Sequence, residues 1–404
     1  MVPGRPRTTA VGTRAGLVGA ALALAVGGVA AGLRLEQRTI ASRVGRAATR
    51  DPRPVRPRSS GPTVRTPDGV ALHTEVDERV ADPRTTYGAA DDGDGGGGGG
   101  GGPLPADAPT LVLVHGWGLS LDCWLFQRRH FRGRVRQVLY DQRSHGRSGR
   151  SAPASCRVPQ LAEDLRQVLA EVTGDAPVVL VGHSMGGMTI MHLALSHPEL
   201  FGPQVKGVAL LSTSAGSLAD FSPVRVVPGR VFSRLAPPLL AGLNRVPELV
   251  RRSRQAGTDL GYVVTRRMAF GPDVAPGQVE LAMEMLGETS FEVVADFYPG
   301  FAELDAYAAL DVLGRVPCAV VGGVDDLITP IEHTDKIIEL LPGATSTRVE
   351  RCGHLGLMEH HAVFSEAVEN LYARLGATSA MAGWCHERTP ARPDRPEPEG
   401  GRCG

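Results

Sequence analysis

The pentapeptide Gly182-His183-Ser184-Met185-Gly186 places a serine hydroxyl between two residues without side chains. The apolar run Val178 to Val181 reads as a strand before it, and helical spacing begins near Met188. A strand that turns this sharply into a helix lifts the serine Oγ clear of the sheet, and the small residues at 182 and 186 let the backbone fold that tightly. The same turn aims the Met185 N–H at the position where an attacked carbonyl oxygen would gain charge, and the helix N-terminus adds positive potential there. Upstream, His115-Gly116-Trp117-Gly118 ends the buried run Thr110 to Val114 and offers the Trp117 N–H as a second donor to that oxygen.

A serine hydroxyl is a weak nucleophile until a base takes its proton, and the base needs an acid to orient it. The apolar run Cys318 to Val321 leads into Gly322-Gly323-Val324-Asp325-Asp326-Leu327-Ile328-Thr329-Pro330. An acid at the carboxyl end of a parallel strand lies where such a sheet collects its site. Asp326 is preferred because its spacing to Thr329-Pro330 sets the carboxylate just before a turn, with Asp325 as the fallback. Ser346 to Val349 is the next strand, and His354 follows it in a short loop beside Gly353, in reach of both partners. Glu359, His360 and His361 read as surface or packing groups on the following helix, and His115, His145 and His183 as structural. The order Ser184, Asp326, His354 differs from the orders of the two common serine protease folds.

These residues need a frame. Short apolar strands at Thr110–Val114, Val135–Tyr140, Val178–Val181, Val205–Leu211, Cys318–Val321 and Ser346–Val349 alternate with helical spacing, including Pro159–Val172 and a closing helix at Val363–Leu375. That rhythm predicts an α/β fold with a mostly parallel central sheet covered by helices on both faces. Val64–Val76 predicts a hairpin around Pro67-Asp68-Gly69. Between about 213 and 312 the strands stop, and helical, Pro-punctuated segments predict a cap over the site. Residues 82–109, with an unbroken Gly run from Gly95 to Gly102, read as a flexible loop and not a phosphate cradle, which needs a strand before it and a helix after it. The catalytic domain is expected over 63–375, with a disordered tail at 376–404.

The chain carries 43 basic and 43 acidic residues, a balance without the basic excess of a nucleic-acid binder. Its six Cys include no C-x-x-C pair, and no metal site is expected. Residues 15–33 are uncharged and long enough to span a bilayer. Five Arg between 34 and 50 follow them, which favours an uncleaved anchor with the body on the cytoplasmic side. The alternative is a signal peptide cleaved near Gly28-Val29-Ala30. Residues 34–62, rich in Arg and Pro, read as a linker.

With these motifs in hand, the stretch from Val64 to Leu375 resembles the α/β-hydrolase fold family in its cap-containing branch, and actinobacterial members with an N-terminal apolar segment look most similar. The resemblance extends to Asp141-Gln142-Arg143-Ser144-His145-Gly146-Arg147-Ser148, similar to a D-x-R-G-x-G-x-S loop with Ser144 where Gly is common, a departure expected to alter the loop's conformation. It implies hydrolysis of an ester or related acyl compound through an acyl-enzyme on Ser184, without metal or organic cofactor. Acyltransferase, perhydrolase and peptidase readings share the same triad. A non-catalytic binding protein predicts a damaged triad, and all three members are present. The apolar cap residues, for example Leu235–Leu243 and Met283–Leu286, suit either a lipid-like acyl chain or the cap's own core.

Overall fold

The computed structural model describes residues 55–80, 104, 107–218 and 258–386. The proposed anchor at 15–33, the Gly run and the stretch 219–257 of the cap lie outside the described residues. No helix among the described residues is long and apolar enough to cross a membrane.

The first elements among the described residues are a two-stranded antiparallel pair, β1 (Val64–Arg65) and β2 (Ala71–Leu72), closed by the turn at Pro67-Asp68-Gly69. Gly69 takes φ 85°, a conformation that costs a residue with a Cβ. The expected hairpin arm breaks at His73, and β3 (Thr74–Asp77) leaves to join the main sheet. The other strands of that sheet are β4 (Thr110–Val114), β5 (Gln137–Tyr140), β6 (Val178–His183), β7 (Val205–Leu211), β8 (Cys318–Gly323) and β9 (Thr345–Val349). Their spatial order is β3-β5-β4-β6-β7-β8-β9, all parallel except β3.

Parallel strands need crossovers, and helices supply them on both faces. The helices of the described residues are α1 (Leu125–Phe131), α2 (Val158–Val168), α3 (Met185–Ser196), α4 (Thr258–Ala269), α5 (Pro276–Glu288), α6 (Phe291–Ala302), α7 (Ala309–Leu313), α8 (Ile331–Leu340), α9 (Gly356–Glu359) and α10 (His361–His386), the last two following the final strand. Alternate residues of each strand enter opposite cores. Val112, Val138, Leu180 and Val208 pack with Leu161 and Leu165 of α2 and with Ile190 of α3. Leu111, Leu139, Val179 and Ala209 pack with Phe131 of α1 and with Phe364 and Leu371 of α10. Each fully buried Leu or Val contributes about 1.5–3 kcal/mol over its exposed state. Burial from both sides explains why these strands read as continuous apolar runs.

β3 closes one edge of the sheet with buried Glu75 and Asp77. Both pair with Arg128 of α1, at 2.6 and 2.7 Å. Burial opposes ionisation of these two carboxyls, yet the guanidinium and the Ser59 contacts hold both below the usual carboxylate range.

Several boundaries differ from the sequence expectation, and three bear on the site or its frame. Residues 55–60 are held against the body, because Arg56 and Arg58 find a buried acid in Asp122 and Arg56 also pairs with Glu284 of α5. The Pro57 carbonyl accepts from Arg128 at 3.1 Å, and Ser59 N–H donates to Glu75 at 3.0 Å. The helix expected near Met188 begins at Met185, directly after the serine. The closing helix runs on to His386, past the Leu375 expected as its end.

Candidate active site

Ser184 caps α3 with φ 53° and ψ −119°, a conformation L-residues adopt only under constraint. The constraint comes from its surroundings. Ser184 N–H donates to the Leu211 carbonyl at 3.0 Å, and the Ser184 carbonyl accepts from Gly187 N–H at 2.9 Å and from the Thr213 hydroxyl at 2.6 Å. The two motif glycines are sterically required. A Cβ at Gly186 would lie 2.0 Å from the Val114 carbonyl oxygen, and one at Gly182 would lie 2.6 Å from Gly186 backbone. The sharp turn is therefore wedged against the end of β4. The segment His115–Gly118 abuts it, since a Cβ on Gly116 would sit 3.1 Å from Ser184 Cβ. Met185 is the first residue of α3, where backbone N–H groups have no partner within the helix.

The acid and the imidazole lie on the loops after β8 and β9. His354 Nδ1 is 2.8 Å from Asp326 Oδ2, and both residues are buried. Three further donors hold the carboxylate. Ile328 N–H and Thr329 N–H reach Oδ1 at 2.8 and 2.9 Å, and the Thr329 hydroxyl reaches Oδ2 at 2.9 Å. Thr329 Oγ is also 3.3 Å from His354 Nδ1. An ionised carboxylate only accepts, so Nδ1 carries the proton and Nε2 is left as the basic nitrogen. Asp325 stands exposed, with its N–H on the Cys352 carbonyl. Geometry thus brings Asp326, not Asp325, onto the imidazole.

His354 and the serine turn meet through His183. Its Nε2 lies 3.0 Å from the His354 carbonyl, and the two rings are 4.8 Å apart between centroids. Among the described residues no hydrogen bond joins Ser184 Oγ to His354; such bonds are often long in unliganded enzymes and tighten when substrate binds.

Three buried histidines surround the site. Burial pushes His115 down to about 4, with its Nε2 accepting from Gln142 N–H at 2.9 Å. Burial and the neighbouring His115 push His145 down to about 3, and burial pushes His183 well below its usual value. All three are neutral near pH 7, and none touches a carboxylate that could orient it as a base.

In the loop Asp141–Ser148, Ser144 occupies the left-handed backbone region that favours glycine. Ser144 takes φ 65°, and its hydroxyl bonds Ser151 Oγ and Ser151 N–H, each at 3.0 Å, which offsets the strain. Arg143 is fully buried between Asp164, at 2.6 Å, and Asp68, at 2.8 Å. Asp141 accepts Leu121 N–H and Arg147 N–H at 2.8 and 2.9 Å, and a Cβ on Gly146 would strike its carboxylate.

The described part of the cap lies against this site. Thr289 donates to the Gly118 carbonyl at 3.2 Å, and the Trp117 ring sits 5.2 Å from Phe301 and 6.2 Å from Tyr298 of α6. Met285 and Val279 belong to one apolar core, Val293 and Phe297 to the other. Sequence spacing did not reveal Thr329 as a donor to Asp326, nor Glu359, whose carboxylate accepts the N–H of Gly353 beside His354 at 2.6 Å. The Thr-Pro pair was visible in the sequence; nothing near Glu359 pointed to its partner.

An open, nearly all-parallel sheet that gathers a serine turn and a His–carboxylate pair at the carboxyl ends of its strands defines a class of hydrolytic fold. The chain belongs to the α/β hydrolase family, whose sequence model matches residues 111–367. It is 27% identical over 268 residues to a pimeloyl-[acyl-carrier protein] methyl ester esterase of Aeromonas hydrophila, covering 65% of this chain and 94% of the relative. It is 25% identical over 276 residues to 3-oxoadipate enol-lactonase 2 of Acinetobacter baylyi, covering 67% and 90%. A thermophilic esterase from Thermogutta terrifontis shares the fold, with TM-score 0.56, 21% identity and coverage of 79% of this chain and 99% of that one.

Proposed function

We propose that this protein is a serine hydrolase that cleaves carboxylic esters through an acyl-enzyme on Ser184. The observation that carries the reading is the 2.8 Å bond between His354 Nδ1 and Asp326, on the same sheet rim as the strained Ser184. His354 Nε2 takes the hydroxyl proton as Ser184 Oγ attacks the carbonyl carbon. The Met185 and Trp117 N–H groups hold the oxyanion. The alcohol leaves with the proton from His354, and water then repeats the sequence on the acyl-enzyme. The esterase and lactonase relatives support ester cleavage; no step in this scheme needs a metal or organic cofactor.

The acyl group is proposed to be apolar and lipid-like. Support comes from Trp117, in the segment that abuts the serine turn, whose ring meets Phe301 and Tyr298 of the cap. Residues 15–33 are proposed to anchor the chain in the cell membrane with the catalytic domain on the cytoplasmic side, on the strength of the Arg residues that follow them.

A fluorophosphonate probe should label the wild type and leave Ser184→Ala unlabelled. Equal labelling of both, or of neither, refutes the nucleophile. A panel of p-nitrophenyl esters from acetate to palmitate reads chain length: a sharp preference for acetate sinks the lipid-like reading while leaving the hydrolase intact.

A further inference from the structure

The loop that carries His354 is fastened to the cap, and one carboxylate bridges the two backbones. Glu359 sits at the end of α9. Its Oε1 accepts Gly353 N–H at 2.6 Å, the residue next to His354. The same carboxylate accepts Gly271 N–H, at 2.8 Å on Oε2 and 3.1 Å on Oε1. Gly271 lies two residues past the end of α4, the first described cap helix. One side chain therefore bridges the two backbones.

The surrounding contacts are just as close. Leu355 N–H donates to the Ala269 carbonyl at the end of α4, at 2.7 Å. A Cβ on Gly271 would lie 2.1 Å from the Arg351 carbonyl oxygen, and one on Gly353 would lie 2.5 Å from Phe270 backbone. Gln278 of α5 donates to the Met358 carbonyl at 2.8 Å. His354 is thus flanked at residue 355 by a hydrogen bond to the end of α4, and at residue 353 by one to the carboxylate that also holds Gly271.

Cys352 and His360 lie close enough to Glu359 that the three could in principle share a cation. The chemistry is wrong for one. Burial pushes the Cys352 thiol far up, so it stays protonated, and the carboxylate already faces two backbone donors.

We propose that Glu359 is a positioning residue for His354, coupling the placement of the cap helix α4 to the aim of the imidazole. The proposal rests on the reading of His354 as the general base. Its physical basis is that a carboxylate offers two acceptor oxygens, so it satisfies both buried N–H groups at once, whereas a carboxamide offers one oxygen and turns its NH2 toward the other donor. Once the bridge is broken, the His354 loop and the end of α4 can shift independently, and misplacement by about 1 Å can cost about 100-fold in rate.

The test uses the full chain, with Glu359→Gln, Glu359→Asp and the exposed-pair control Asp273→Asn compared on p-nitrophenyl ester hydrolysis and fluorophosphonate labelling. Glu359→Gln should lower kcat and the labelling rate about 10–100-fold with KM within about twofold, while Glu359→Asp, which keeps the carboxylate, recovers part of the loss. Asp273→Asn should match the wild type. Amide exchange at both Gly353 and Gly271 should speed up in Glu359→Gln. A variant that melts earlier but keeps wild-type kcat and labelling overturns the proposal, as does a rise in KM alone. If Glu359→Gln fails to fold, Glu359→Asp, one methylene too short to hold both N–H groups at full strength, decides on the same readouts: unchanged kcat and labelling overturn the proposal, a fall in both with constant KM supports it. Wild-type activity in His354→Ala would instead overturn the base assignment, a different failure with a different signature.

Discussion

His354 Nδ1 lies 2.8 Å from Oδ2 of Asp326, while Asp325, one residue earlier, points into solvent. The pair fixes the tautomer that leaves Nε2 free. Asp326→Asn replaces an acceptor by a group that can present N–H to Nδ1, so the wrong nitrogen keeps the proton. Ester turnover should fall about 10,000-fold, by analogy with the same change in serine proteases. Asp325→Asn, at an exposed position, should stay within about twofold. Steady-state kcat on a p-nitrophenyl ester checks both; equal losses would mean that either acid can serve.

Thr329 hydroxyl is one of four donors on the Asp326 carboxylate. Thr329→Val keeps the shape and removes the donor. A hydrogen bond to a charged group contributes about 1.5–3 kcal/mol, so kcat/KM should drop about 10–100-fold. Thr329→Ser restores the hydroxyl and should recover most of the rate. An inactive Thr329→Ser would shift the explanation to packing of the methyl group.

Glycines in two settings should respond in opposite directions. Gly186→Ala sets a methyl 2.0 Å from a backbone carbonyl in a close-packed turn, and should cost at least about 3 kcal/mol or prevent folding. Gly277, in the first turn of α5, has nothing within 4 Å of its would-be Cβ. Gly277→Ala should leave stability unchanged or raise it by up to about 1 kcal/mol. Urea midpoints at constant m-value check both.

Acid should unfold the protein through its buried histidines. His115 is held at about 4, His145 at about 3 and His183 well below its usual value, all by burial first. Their folded values are depressed, so the unfolded chain takes up protons that the folded chain refuses. Stability is intact above about 6.5 and declines as pH falls below it, by up to about 1.4 kcal/mol per pH unit for each histidine. The loss attributable to His115 is complete near its folded value of about 4. His145→Phe, against Phe297, should remove one proton from that slope. Urea unfolding between pH 7 and pH 4.5 measures the slope, and a flat profile would contradict neutral burial.

Removing the N-terminal strap should loosen the fold. Asp122 is buried and owes its ionisation to Arg58 and Arg56, since burial alone would raise it. Arg58 is itself 44% exposed in its side chain, which screens the pair. Arg56→Ala combined with Arg58→Ala should cost about 1–2 kcal/mol, well below the loss from breaking a fully buried pair. An unchanged melting temperature would show that the strap's backbone contacts suffice.

What the sequence determined by itself was everything carried by neighbouring residues. The glycines around Ser184 dictate a tight strand-to-helix turn because their Cβ atoms would collide within a few residues or with the adjacent strand. Continuous apolar runs dictate strands buried on both faces. Asp326 before Thr329-Pro330 dictates a turn whose N–H groups return to the carboxylate. The tertiary structure decided what depends on distant partners: which of two adjacent acids meets the imidazole, that an Arg-Pro segment read as linker is pinned by Asp122 and Glu75, and that Glu359 ties the His354 loop to a cap helix. Hydrogen bonds and ion pairs between residues tens or hundreds of positions apart leave no local periodicity. A lone Glu on a helix looks solvated until folding brings two unpaired backbone N–H groups against it, and the cost of leaving those donors unmet is what gives the carboxylate its place.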